Sequence, residues 1–157
     1  MSDRVYNVVV AGLGGQGVIK ASDILAEAAF ASGYDVKKAE IHGMSQRGGS
    51  VSSDVRFGAQ VLSPMVPPGE ADILVVVAAD QVEANRERLR PDGVMIVPDD
   101  IDAAALANRR SANVALLGVL SRHLPIDIER WQAAIRANLA ENLWEANLAA
   151  FDLGRGA

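Results

Sequence analysis

One segment near the start constrains the fold more than any other part of the chain. Residues 6–11 (YNVVVA) form a short β-branched run that leads directly into the glycine-rich segment 12–17 (GLGGQG). Apolar residues then recur at helical spacing until Gly33, namely Val18, Ala21, Leu25, Ala28 and Ala29. A buried strand that enters a helix through a tight glycine turn is typical of α/β proteins. We therefore expect strands and helices to alternate along the rest of the chain.

The remaining patterns agree with that expectation. We predict strands over 35–40, 51–57, 73–79 and 94–97, and helices over 81–89, within the alanine-rich stretch 99–110, before Pro125, after Asp127 and over 141–153. A turn at Gly58 and a short strand at residues 61–62 predict an antiparallel hairpin with 51–57. The predicted fold is a single Rossmann-like three-layer α/β domain over residues 1–157. Its sheet is mainly parallel, with one antiparallel hairpin and C-terminal helices.

Composition excludes several classes of function. The 157 residues contain no cysteine, so the chain can offer no thiolate to an iron–sulfur cluster or to zinc. The net charge is −5, and Arg109-Arg110 is too small a basic patch to indicate nucleic-acid binding. No stretch is long and apolar enough to span a membrane, and Met1–Arg4 does not resemble a signal peptide. We expect a cytoplasmic protein with no nucleic-acid or membrane partner.

The segment 12–17, the glycine loop, fits the pattern G-x-G-x-x-G at the junction of a strand and a helix. Free N–H groups at a helix start favour anions, and glycines let a ligand approach the backbone. Glu40, at the end of the second predicted strand, has the position of a ribose-binding acid in dinucleotide-binding proteins. A turn that serves only close packing is also possible. A P-loop is disfavoured, because Val18-Ile19 occupy the positions where Lys-Ser or Lys-Thr would be needed. The candidate binding residues of the loop are Gly12, Gly14, Gly15, Gln16 and Gly17.

Residues 41–50 (IHGMSQRGGS), the second loop, combine an imidazole, a carboxamide, a guanidinium and paired glycines. The planar guanidinium of Arg47 is suited to an anion. Functional groups concentrate on loops, although a solvated surface loop is the alternative interpretation. The candidate ligand- or partner-binding residues here are His42, Gly43, Met44, Gln46, Arg47, Gly48, Gly49 and Ser50.

Together these loops carry a family resemblance. GLGGQGV at 12–18 and AEIHGMSQRGGSVSSDVRFG at 39–58 closely resemble the small (beta) subunit of indolepyruvate:ferredoxin oxidoreductase. More broadly, the chain resembles the gamma subunits or domains of 2-oxoacid:acceptor oxidoreductases. The resemblance spans nearly the whole chain, through segments 63–64, 69–72, 112–113, 117–118, 147 and 151–154. The interval 98–111 is shorter than is usual in that family.

The resemblance implies an enzyme subunit that is inactive alone. The family converts a 2-oxoacid and coenzyme A to an acyl-CoA and carbon dioxide and reduces ferredoxin, and the indolepyruvate branch acts on arylpyruvates. Thiamine diphosphate, magnesium and 4Fe-4S clusters are then expected in a large (alpha) partner subunit, with coenzyme A as co-substrate and no cofactor bound by this chain alone. The two loops would complete the partner's site in a hetero-oligomer that passes electrons to ferredoxin, with no certain catalytic residue of their own.

Two other hypotheses stay open at this point. The chain could be a free-standing dinucleotide-binding protein or reductase that uses Gly12–Gly17 and Glu40. It could also be a scaffold that shapes the large subunit and contacts no ligand.

Overall fold

A computed structural model describes residues 4–43 and 49–156. Its strands are β1 (Val5–Leu13), β2 (Asp35–His42), β3 (Ser50–Gly58), β4 (Ala71–Val76) and β5 (Leu89–Ile96). Its α-helices are α1 (Val18–Ala31), α2 (Val82–Asn85), α3 (Ala112–Ser121), α4 (Ile128–Asn138) and α5 (Trp144–Arg155). The α/β class is therefore confirmed.

The five strands form one mixed sheet in the order β2-β3-β1-β4-β5. β1 pairs in parallel with β4, and β4 with β5, whereas β3 pairs antiparallel with both β1 and β2. Four strands thus share one direction, and β3 alone runs against them. The glycine loop leaves β1 at the carboxyl edge of the parallel strands, where α/β proteins place their binding sites.

The antiparallel hairpin exists, but the predicted partner was wrong. Residues 61–62 form no strand, and β3 pairs instead with β2, in a register that sets Asp35 opposite Gly58 and His42 opposite Val51. The two strands are longer than predicted, so that Ile41, His42 and Ser50 of the second loop belong to strands. Hydrogen bonds between neighbouring strands along the full length of β3 explain the extra length. They continue the strands beyond the alternating apolar residues from which the strands were predicted.

Two other predicted elements also differ from the structure. The region 81–89 is only one α-helical turn flanked by 3-10 turns, and residues 99–110 form separate 3-10 turns rather than a helix. β5 begins at Leu89 and passes through Pro91, which the sequence placed in a turn. Because β5 is an edge strand, it tolerates a proline that lacks an N–H.

Side chains that alternate along the central strands bury both faces of the sheet. In β1, Val8 and Val10 join the larger core with α1, α3 and α4, whereas Val9 and Ala11 face the opposite side. That second side is covered by α2 and by the segment around Val66. Alternation of this kind is what a strand buried on both faces requires. Most of the helices therefore pack on one face of the sheet.

The C-terminal helices close the larger core. Trp131 of α4 and Phe151 of α5 are fully buried, with ring centroids 5.7 Å apart. α3 and α5 approach each other at Gly118 and Gly154, where an added Cβ on Gly154 would lie 1.7 Å from the Ala115 carbonyl oxygen. The glycines of these two helices therefore allow α3 and α5 to pack backbone to backbone.

Candidate ligand and partner site

The glycine loop forms a tight turn that its own side chain braces. Gly12 and Leu13 still belong to β1, and the Oε1 of Gln16 accepts a hydrogen bond from the Leu13 N–H at 2.7 Å. Gly17 then caps α1 in the left-handed conformation, with its carbonyl accepting the Ala21 N–H at 2.9 Å. The first N–H groups of α1 are left without partners in the helix, and no acidic side chain lies in its first turn.

Glycine is required in this loop for specific geometric reasons. Gly15 and Gly17 have φ values of +84° and +78°, a region that side-chain-bearing residues rarely adopt. A Cβ on Gly17 would lie 2.4 Å from the Nδ2 of Asn113, and a Cβ on Gly12 would lie 2.3 Å from the Val77 side chain. The left-handed backbone and the close packing of the loop thus both exclude larger residues.

The base of the second loop lies directly beside the glycine loop. The N–H of Gly14 donates to the Gly49 carbonyl at 2.9 Å, and the N–H of Gly43 donates to the Ser50 carbonyl at 2.6 Å. The β1–β3 pairing also sets Leu13 opposite Ser50. Met44, Gln46, Arg47 and Gly48 lie outside the described residues. The structure therefore joins the two predicted loops at the same edge of the sheet.

His42, the last residue of β2, is level with the glycine loop in the sheet register. It lies opposite Val51, which in turn lies opposite Gly12. His42 and Lys20 line a hollow of about 280 Å³ together with Gly14, Gly15 and Gly17. An imidazole and an ammonium therefore lie next to the exposed backbone of the glycine loop.

Two arginines that the sequence analysis set aside as a minor basic patch face the other side of the glycine loop. Arg109 and Arg110, with Asn113, line a cleft of about 590 Å³ opposite Gly15, Gln16 and Gly17. Their turn is held by Asn108, whose Oδ1 accepts the Arg110 N–H at 2.9 Å. The sequence signal that could have identified them is their position, as adjacent arginines just before Ala112-Asn113, which belongs to the family resemblance. Only the position of α3 shows that they reach the loop.

The charges around this cleft favour an anion. Within residues 4–43 and 49–156, neither Arg109 nor Arg110 forms an ion pair, and both are exposed. The start of α1 adds the partial positive charge of a helix N-terminus. Lys20 lies one turn along, where its Nζ donates to the Asn138 carbonyl at 3.0 Å. Two guanidinium groups thus face the glycine loop across the cleft.

Glu40 does not share this site. β3 lies between β1 and β2, so Glu40 is two strands from the glycine loop, or roughly 10 Å across the sheet. In register it lies level with Val10, and its carboxylate pairs with Lys38 at 2.5 Å. In a dinucleotide-binding fold the acidic residue ends the strand next to β1. The antiparallel β3 occupies that place here, which removes the geometric basis for a ribose contact by Glu40.

Lys38 is held as a cation by its neighbours on this outer strand. Burial lowers the pKa of its ammonium, but hydrogen bonds and charge interactions with Asp23 and Glu40 outweigh burial and raise the pKa above its ordinary value. The Asp23 carboxylate lies 2.8 Å from the Lys38 Nζ. Lys38 and Glu40 therefore belong to a charge cluster that ties β2 to α1.

Comparison with known proteins places this chain in a family. The model of the pyruvate ferredoxin/flavodoxin oxidoreductase family matches residues 7–157. The chain belongs to that family. It is 35% identical to the indolepyruvate oxidoreductase subunit IorB of Thermococcus kodakarensis, over 96% of this chain and 95% of the relative. It is 34% identical to the IorB subunit of Methanothermobacter thermautotrophicus, over 97% of each. Both alignments run over 193 residues, so these relatives carry insertions where the chain has none.

Solved structures share the same fold. The gamma subunit of a keto/oxoacid ferredoxin oxidoreductase from Geobacter sulfurreducens superposes with a TM-score of 0.80, 23% identity, and coverage of 96% of this chain and 94% of that one. The pyruvate oxidoreductase subunit PORC of Thermotoga maritima gives 0.70 and 25% identity, over 98% and 96%. The 2-oxoglutarate:ferredoxin oxidoreductase of Magnetococcus marinus gives 0.84 and 21% identity, over 99% of this chain but 31% of that one. The family match and the IorB relatives identify the chain as a small subunit of the 2-oxoacid:ferredoxin oxidoreductase family. The solved structures agree with it in fold.

The described residues do not offer the ligands that an iron–sulfur cluster or a metal ion needs. The chain has no cysteine for a cluster, and residues 4–43 and 49–156 contain no group of three His, Asp or Glu side chains that could hold a metal ion.

Across residues 4–43 and 49–156, no helix has the length and apolarity needed to cross a membrane.

Proposed function

We propose that this chain is the small subunit of a thiamine-diphosphate-dependent arylpyruvate:ferredoxin oxidoreductase, with indolepyruvate as its model substrate. An aryl 2-oxoacid and coenzyme A would give the aryl-acyl-CoA and carbon dioxide, and two electrons would pass to ferredoxin. A large cytoplasmic partner subunit would hold the thiamine diphosphate, which supplies the carbanion chemistry, and the 4Fe-4S clusters. The present chain would complete the site at the interface and would be inactive alone.

The order of similarity supports the arylpyruvate assignment. Four IorB subunits match at 30–35% identity over 94–97% of the chain. The common gamma subunit of the pyruvate/ketoisovalerate oxidoreductases of Pyrococcus abyssi matches at 27% over 87% of the chain. The 2-oxoglutarate synthase subunit KorC of Methanocaldococcus jannaschii matches at 28% over 92%. The alignments thus favour the indolepyruvate branch.

The observation that carries the site proposal is the junction of the two loops. The Gly14–Gly49 hydrogen bond joins them at the carboxyl edge of β1, beside a cleft that Gly15, Gly17 and two arginines line. Coenzyme A brings three phosphate groups, for which arginine forks and helix N-termini are suited. We assign the cleft between the glycine loop and Arg109-Arg110 to a phosphate of coenzyme A, and the second loop, with His42, Gln46 and Arg47, to the reacting end of the site.

The experiment begins with the assembled complex. The tagged chain would be purified without oxygen from its native host, its partner identified by mass spectrometry, and the complex assayed with indolepyruvate, coenzyme A and an artificial electron acceptor. A cysteine-bearing large partner and coenzyme-A-dependent reduction are the expected results. A chain that elutes alone and shows no such activity would contradict the subunit proposal.

The anion site has its own matched test in that complex. Arg110→Ala removes a guanidinium from the cleft, whereas Arg122→Ala removes an exposed one from the far end of the same helix α3. Loss of a charged hydrogen bond predicts a rise of about tenfold in the KM for coenzyme A with Arg110→Ala. Arg122→Ala is expected to stay within about twofold. Equal KM values for the two variants would show that the cleft does not bind coenzyme A.

A further inference from the structure

We infer that Asn113 is a positioning residue, which fixes the glycine loop at the correct distance from the arginine pair. The role rests on the proposed function, since the arginines and the loop are there assigned to one phosphate group. Asn113 is on α3, and the loop lies 96 residues earlier in the chain. The only described side-chain hydrogen bond between α3 and the glycine loop is the one that Asn113 makes.

The contact between Asn113 and the loop is polar and also steric. The Nδ2 of Asn113 donates to the Gly17 carbonyl at 3.1 Å, and the side chain is 9% exposed. The missing side chain of Gly17 makes room for that amide, because a Cβ there would lie 2.4 Å from the Nδ2. Gly17 is the cap of α1, so the amide holds the residue from which the free N–H groups of α1 follow.

The same asparagine is rigidly connected to the arginines. Asn113 lies in the first turn of α3, directly after the 3-10 turn Arg109–Ser111. That turn is locked at its start, where the Ser111 Oγ donates to the Asn108 carbonyl at 2.5 Å. A shift of Asn113 relative to Gly17 would therefore change the separation between guanidinium groups and loop amides. Anion binding depends on that separation, because charged hydrogen bonds weaken steeply with distance and angle.

Asn147 provides a matched comparison on the same side of the molecule. It is also buried, 7% exposed, and it lines a neighbouring hollow of about 230 Å³ together with Asn113. Its Nδ2 donates to the Leu143 carbonyl at 2.8 Å, one turn earlier in the chain. Replacement of Asn147 thus removes a buried amide without cutting a bond to the glycine loop.

The test compares Asn113→Ala with Asn147→Ala in the assembled complex. We expect Asn113→Ala to raise the KM for coenzyme A about fivefold with kcat little changed, and Asn147→Ala to leave both within about twofold. Hydrogen exchange over residues 14–20 should become faster with Asn113→Ala only. If the alanine variant fails to fold, Asn113→Leu keeps about the same side-chain volume and removes the donor without adding a charge, and the same rise in KM is expected.

A double mutant separates positioning from a general loss of stability. Gly17→Ala collides with the Asn113 amide, so the effects of Gly17→Ala and Asn113→Ala on KM should be non-additive when combined. Additive effects, or an unchanged KM with Asn113→Ala while Arg110→Ala still raises it, would overturn the role of Asn113 and leave the proposed function intact. No change with either Asn113→Ala or Arg110→Ala would instead overturn the anion site itself.

Discussion

Two arginines of one short segment, Arg86 and Arg88, form ion pairs that differ in burial. The Nη2 of Arg88 donates to the Oδ1 of Asp54 at 2.6 Å, and Asp54 is completely buried. The other carboxylate oxygen accepts the Val66 N–H at 2.9 Å, and Arg88 also donates to the Ser52 Oγ. Two residues earlier, Arg86 makes a 2.8 Å ion pair with Glu83, whose side chain is 81% exposed. The two pairs share their chemistry and differ in burial.

We expect Arg88→Ala to lower the free energy of unfolding by about 3 kcal/mol, because it leaves the Asp54 carboxylate buried without its counter-charge. This loss is at the lower end of the range of stability losses for broken buried ion pairs, because the Arg88 side chain is itself 21% exposed. Arg86→Ala should cause no measurable change, because water solvates Glu83 as well as the guanidinium does. The Val66 segment covers one face of the sheet, so its loosening adds to the effect of Arg88→Ala.

Urea unfolding of the full chain, followed by tryptophan fluorescence, measures the difference. Trp131 is fully buried and therefore reports on loss of the larger core. With a slope of about 2 kcal/mol per molar urea, a loss of about 3 kcal/mol lowers the midpoint by about 1.5 M. A midpoint for Arg88→Ala that matches that for Arg86→Ala would refute the argument from burial.

Two further predictions concern packing and pH. Gly154→Ala places a Cβ 1.7 Å from the Ala115 carbonyl oxygen, so α3 and α5 must separate. Calorimetry should show a Tm lower by about 10 °C. An unchanged Tm would contradict the close approach of the two helices. The pKa of Asp35 lies below its ordinary value of 3.8, first because its carboxylate accepts the Val61 N–H and then because of Lys37. Its stabilising effect is complete above pH 3.8 and disappears as the pH falls through the lower folded value. Asp35→Asn should therefore be less stable than wild type near neutral pH, and the difference should shrink as the pH falls below 3.8. A difference in the urea midpoint that stays the same on acidification would refute this.

Much of the sheet could be predicted because its residues carry local signals. Val8, Val9 and Val10 are β-branched and apolar on both faces, which indicates a central strand, and the helix that ends near Gly33 has a regular apolar period. In β3, the alternation of Val51, Ser53, Val55 and Phe57 correctly indicates the face that packs on the larger core. Each of these signals depends on residues only a few positions apart.

The strand pairing could not be predicted in the same way. Nothing near Gly58 shows that β3 pairs with β1 and β2 rather than with residues 61–62, since the ladder joins residues as far apart as Val5 and Gly58. The consequence for function is direct. The position of Glu40 at the end of a strand suggested a ribose contact, but the order β2-β3-β1 removes Glu40 from the glycine loop.

The sequence by itself determined the strand–turn–helix unit with its glycine loop, because β-propensity, helical period and the conformational freedom of glycine act over a few residues. It also determined that no cysteine chemistry belongs to this chain. Only the tertiary structure decided that Gly49 bonds to the glycine loop, and that Asn113 of α3 faces it together with Arg109 and Arg110 of the turn before α3. Those contacts join segments about 35 to 95 residues apart, and they form only when burial of the shared core brings the segments together.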